Sequence, residues 1–80
     1  MARAKEEAIP HERLWALRKE KKLTQSALAK KLNLSQRTYS RYENGERGVP
    51  NDIWIKLSEY YDVSIDYLMG RTMERKRYSR

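Results

Sequence analysis

The sequence predicts an all-α fold, a compact bundle of five short helices. Three observations carry that expectation. Apolar residues recur at helical spacing, as in Leu14 and Leu17, Leu28 and Leu32, and Ile53, Trp54, Leu57, Tyr60 and Tyr61. Residues that start helices (Thr24, Ser35, Ser64) and residues that stop them (Asn33, Gly45, Gly70) punctuate the chain at short intervals. No segment shows a strand period or a hairpin turn, so packed helices are the one layer architecture with support.

Residues 1–9 have mixed charge and no apolar period, and are expected to form a flexible N-terminal arm. The folded domain is expected over 10–70, followed by a basic tail over 71–80. Pro10 suits the first turn of helix 1, which runs to about Lys22 with Leu14 and Leu17 facing inward. Glu12 in its first turn and Lys19, Lys21 and Lys22 in its last follow the helix dipole. Trp15 falls beside the inward stripe and is expected to lie half-buried on the domain. Thr24 is a good N-cap for helix 2, where Leu28, Ala29 and Leu32 share a face. Asn33 then tolerates a left-handed backbone. Ser35 caps helix 3, about 35–44. Tyr39 and Tyr42 face one way; Gln36, Arg37, Ser40, Arg41 and Asn44 face the other. That second face carries no acid, and Glu43 lies on its flank. Gly45 is a natural residue just past the helix end. Helix 4 spans Pro50 or Asn51 to Tyr61, and its broad apolar face reads as core. Val63 and Ser64 open helix 5, with Ser64 as N-cap, Asp66 in the first turn and Gly70 at the end.

Eighty residues make one domain, and the formal net charge is +7. The tail from Arg71 to Arg80 holds five basic residues and one acid, Glu74, a net +4. It is expected to be mobile and to add phosphate contacts. There is no cysteine, and His11 is the single histidine, so neither a disulfide framework nor a metal site is expected. No apolar run is long enough to span a membrane, and the N-terminus lacks a secretory h-region, so the expected location is cytoplasmic. No Gly-rich phosphate loop or catalytic constellation is present. The expected protein is not an enzyme and takes no cofactor.

The net charge points to a polyanion partner, and the outward face of helix 3 narrows it. Gln, Arg, Ser and Asn on an exposed helix suit base edges in a DNA major groove. The stretch from Thr24 to Asn44 resembles the Cro and phage-repressor (XRE-like) type of helix-turn-helix. Gln25 stands at the start of its second helix, the small Ala29 four residues on, and Asn33 where the turn usually has Gly. Tyr42 to Gly45, Y-E-N-G, also matches. The resemblance runs from about Ile9 to Thr72. Relatives of this type place Pro where Val49 stands here.

The resemblance implies a five-helix domain of the phage-repressor type that binds double-stranded DNA sequence-specifically to regulate transcription, as a repressor above all. Helix 3 would read the major groove. Gln36, Arg37 and Arg41 coincide with base-reading positions, with Ser40 and Thr38 beside them; the alternative for both arginines is a grip on phosphates alone. Gln25 and Asn44 match phosphate-binding positions, and Thr24 and Arg47 join them by neighbourhood. Arg18 and Glu43 match an ion pair between helices 1 and 3. Binding as a homodimer on an inverted repeat is expected, with Val49, Pro50 and Ile65 at the matching interface positions. Two other readings stay open: an antitoxin or protein-interaction module with a protein partner on the same fold, and a basic protein that binds nucleic acid without sequence preference.

Overall fold

A computed structural model describes residues 12–77; the expected N-terminal arm, the start of helix 1 and residues 78–80 lie outside that range. Five helices and no strand occur among the described residues. They are α1 (12–20), α2 (Gln25–Lys31), α3 (Gln36–Glu43), α4 (Asn51–Tyr61) and α5 (Ile65–Leu68). The all-α reading is therefore correct. Among the described residues, no helix is long and apolar enough to cross a membrane.

Side-chain caps open three of the helices. The Thr24 hydroxyl accepts from the Ala27 amide, that of Ser35 from Thr38, and that of Ser64 from Tyr67. Each satisfies one amide that the helix leaves unpaired. The helix ends share one solution. Each helix is followed by a residue with left-handed φ: Lys22 (57°), Asn33 (63°), Gly45 (81°), Asp62 (58°) and Gly70 (78°). The next amide then reaches back five residues to a helix carbonyl, as in Leu23 to Arg18, Leu34 to Ala29, Glu46 to Arg41, Val63 to Ser58 and Arg71 to Asp66. This is the Schellman arrangement. It ends α1 two residues before the expected Lys22, because Lys22 itself supplies the left-handed turn.

These stops fold the helices around one core. Leu14, Leu28, Tyr39, Leu57 and Leu68 are fully enclosed, with Leu17, Ala29, Leu32, Tyr42, Ile53, Trp54, Tyr61, Val63 and Tyr67 around them. Ala29, 1% exposed, lets α2 and α3 approach closely. Leu23, Leu34 and Val49 seal the edges. The Tyr61 hydroxyl is buried without a hydrogen-bond partner among the described residues. Trp15 keeps 51% of its surface exposed, as its place beside the inward stripe implies.

Over 71–77 the basic segment lies against the domain, where Arg71, Arg75 and Arg77 each reach a carboxylate. The Arg75 carbonyl accepts from the Ser64 amide at 2.8 Å, and its guanidinium donates to both Glu20 oxygens (3.0 and 3.3 Å) and to the Tyr67 hydroxyl (3.1 Å). This hydrogen bonding holds the Glu20 carboxyl below its ordinary value. Arg13 donates to the Tyr67 and Thr72 carbonyls, and its guanidinium lies 4.0 Å from the centre of the Tyr67 ring. Arg77 reaches Asp62 at 3.4 Å. The segment is a clasp from α5 to α1.

Two stability measurements follow. Lys22→Gly removes a left-handed side-chain strain of roughly 1–2 kcal/mol and adds backbone freedom to the unfolded chain, so the unfolding free energy from urea titration should rise by a net of about 0.5–1 kcal/mol. A fall would mean that the lysine side chain holds the turn. Truncation after Thr72 should lower the unfolding free energy by about 1–2 kcal/mol, and the midpoint with it, because the Ser64 amide loses its acceptor. An unchanged midpoint would show the clasp to be inert.

Candidate nucleic-acid interface

The surface of interest is set by what α3 buries. Eight residues long, it turns Tyr39 (0% exposed), Tyr42 (4%) and Glu43 (7%) inward. At 3.6 residues per turn the opposite face must then present Gln36, Arg37, Ser40 and Arg41. Gln36 and Arg37 are exposed, and Ser40 and Arg41 are partly exposed. With Asn44 and Glu46 they line one open groove. The Asn44 amide donates to the Ser40 hydroxyl at 3.3 Å. Thr38 is turned toward the cap, accepting from the Ser35 hydroxyl at 3.0 Å.

Glu46 is a groove residue that the sequence alone did not single out. The signal was Gly45: its left-handed turn sends the chain back toward the last turn of α3. The Glu46 amide donates to the Arg41 carbonyl at 2.9 Å, and its Oε1 lies 4.0 Å from Arg41 Nε.

Behind the groove sits a buried polar network. Glu43 Oε2 accepts from Arg18 Nε and from the Tyr39 hydroxyl, both at 2.8 Å. Its Oε1 accepts from Arg18 Nη2 and from Gln25 Nε2, both at 2.9 Å. Arg18 Nη1 donates onward to the Leu23 carbonyl at 2.8 Å. Burial alone would push the Glu43 carboxyl up, but the donors Arg18, Gln25 and Tyr39 together outweigh it and hold the carboxyl below its ordinary value. The hydrogen bond to Glu43 raises Arg18 despite burial. Burial first, then the adjacent Glu43 charge, raises Tyr39 well beyond the usual phenol range.

The remaining site candidates are dispersed. Thr24 is exposed at the start of α2, its oxygen engaged in the cap. Gln25 is partly buried beside it and tied to Glu43. Arg47 is exposed after α3. Val49 and Ile65 pack partly against the core, and Pro50 is exposed at the start of α4. No cluster of side chains fit to hold a metal occurs among the described residues.

The family profile described as "Helix-turn-helix" matches residues 16–68, which runs from within α1 to the end of α5. The chain belongs to the helix-turn-helix family. Within it the chain is 41% identical to the uncharacterized HTH-type transcriptional regulator YobD of Bacillus subtilis, over 76% of this chain and 54% of that protein. It is 46% identical to the HTH-type transcriptional repressor RghR of the same organism, over 72% and 44%. It is 38% identical to the cryptic phage CTXphi transcriptional repressor RstR of Vibrio cholerae, over 75% and 54%. The chain thus spans about half the length of the curated relatives it matches. No solved structure matches it significantly. The helix-turn-helix itself is α2, the left-handed Asn33 turn and α3, held at its open end by Gln25 and Glu43.

The network makes a stability prediction. A carboxyl whose folded value is lowered stabilises fully above its ordinary value of 4.5, and that contribution is lost as pH falls through the lower folded value. Glu43→Gln strands a buried guanidinium, so at pH 7 it should lower stability by about 3–5 kcal/mol. The gap to wild type should narrow below the ordinary carboxylate range. Urea midpoints at several pH values check both; a pH-independent gap would remove the ionised Glu43 from the account.

Proposed function

We propose that this chain binds double-stranded DNA sequence-specifically as a transcriptional regulator, and as a repressor in particular, by laying α3 in the major groove. The observation that carries this reading is the division of α3: two tyrosines and Glu43 inward, four polar residues outward in one open groove. Arg37 and Arg41 offer paired donors to O6 and N7 of guanine, and the Gln36 amide matches N6 and N7 of adenine. The relatives' names as regulators and repressors support the same reading.

In this reading α2 crosses the backbone, and Thr24, Gln25, Asn44 and Arg47 meet phosphates. Gln25 uses one amide hydrogen on Glu43, which leaves the second for a phosphate oxygen. Recognition would thereby act on the helices that Glu43 joins. Val49, Pro50 and Ile65 serve a homodimer on an inverted repeat, because two half-sites supply the specificity that one small domain lacks.

The test is a double cycle. Wild type first selects its preferred site from a random duplex pool. Arg41→Ala should then cost roughly 1–3 kcal/mol on that site and much less on a duplex altered at the contacted base pair. Equal losses on both duplexes, repeated for Gln36→Ala and Arg37→Ala, would refute sequence-specific reading by α3.

A further inference from the structure

We propose that Glu46 is a specificity-determining residue that makes Arg41 a reader of bases rather than a gripper of phosphates. This rests on the DNA-binding reading above and deepens it.

Glu46 occupies the residue after the left-handed stop of α3. At the same place after α1, α2 and α4 stand Leu23, Leu34 and Val63, which pack against or within the core. After α3 an acid stands there instead, 61% exposed by side chain, and it stays in the groove. It is the acid among six lining residues, the others being Gln36, Arg37, Ser40, Arg41 and Asn44. Its backbone position is fixed by the hydrogen bond that its amide donates to the Arg41 carbonyl.

The contact engages Arg41 at Nε, 4.0 Å away. No hydrogen bond of the two terminal nitrogens of Arg41 is made among the described residues. A carboxylate on the Nε side draws the guanidinium by charge alone and leaves both terminal nitrogens as a fork, the geometry that suits O6 and N7 of guanine. The same carboxylate acts against the competing state. If Arg41 moved to a phosphate, Glu46 would stay in the groove without its counter-charge and repel the nearby phosphate. Loss of Glu46 therefore releases Arg41 to the backbone. Both side chains are well exposed, so the pair contributes little to folding.

The experiment measures wild type, Glu46→Ala, Glu46→Asp, Arg41→Ala and the double variant Glu46→Ala/Arg41→Ala. Each is titrated with the duplex that wild type enriches from a random pool and with a shuffled duplex, across a salt series. Thermal midpoints, expected to match wild type for the Glu46 variants, exclude misfolding. Glu46→Ala should bind the shuffled duplex more tightly and lower the selected-to-shuffled affinity ratio by about tenfold. Its slope of log K against log salt on the shuffled duplex should steepen by about 0.9, one phosphate gained. The double variant should lose that gain, and Glu46→Asp should restore part of the ratio. An unchanged ratio and slope in Glu46→Ala overturns the proposal. So does a steeper slope that persists without Arg41, which would mean that the acid merely repels phosphates. If wild type itself showed no preference between the duplexes, the parent reading would fall instead, so the two failures are distinguishable.

Discussion

One carboxylate holds the arrangement together. Glu43 accepts four hydrogen bonds, from Arg18 on α1, Gln25 on α2 and Tyr39 on α3 itself, at 2.8–2.9 Å. The net stability of such a buried pair against an apolar substitute is small, since desolvation offsets much of the Coulombic gain. Its value lies in direction. An apolar contact tolerates sliding, whereas a bidentate guanidinium and a planar amide fix distance and angle together. The relative placement of α2 and α3, the two helices that DNA would meet, is set by an acceptor that lies behind both.

α3 also shows how the core and the groove constrain each other. Tyr39 donates its hydroxyl to Glu43 and fills the centre of the core. One residue later Ser40 faces the groove, and one earlier Thr38 completes the cap. A rotation of α3 about its axis would take the polar face inward and leave Glu43 unpaired. Rigidity of the groove face is thus a product of the burial behind it.

The helices were legible because caps and apolar periods are local signals. Thr24, Ser35 and Ser64 cap as their side chains imply, and Asn33, Gly45 and Gly70 turn left-handed as their types allow. Lys22 does the same work without that signal, since Lys has no intrinsic preference for the conformation, whereas Asp62 adopts it as Asn33 does. The clasp was illegible for a different reason. Net charge in a segment does not reveal partners far away in sequence, and Glu20 and Asp62 give no hint of Arg75 and Arg77. On the interface, the outward face of α3 could be read from periodicity, while Glu46 could not: its place in the groove depends on the turn angle at Gly45.

The clasp also has an entropic consequence. The α2–turn–α3 unit is stitched by contacts between near neighbours in sequence, whose loops close at little entropic cost. Arg13 to Tyr67 and Arg75 to Glu20 join residues 54 and 55 apart, so they close loops of most of the chain. Contacts of such separation reward the chain only after a long loop has been closed, so the clasp depends on the intervening helices to shorten the gap. The α2–α3 unit and the clasp therefore differ in the chain entropy that each must overcome.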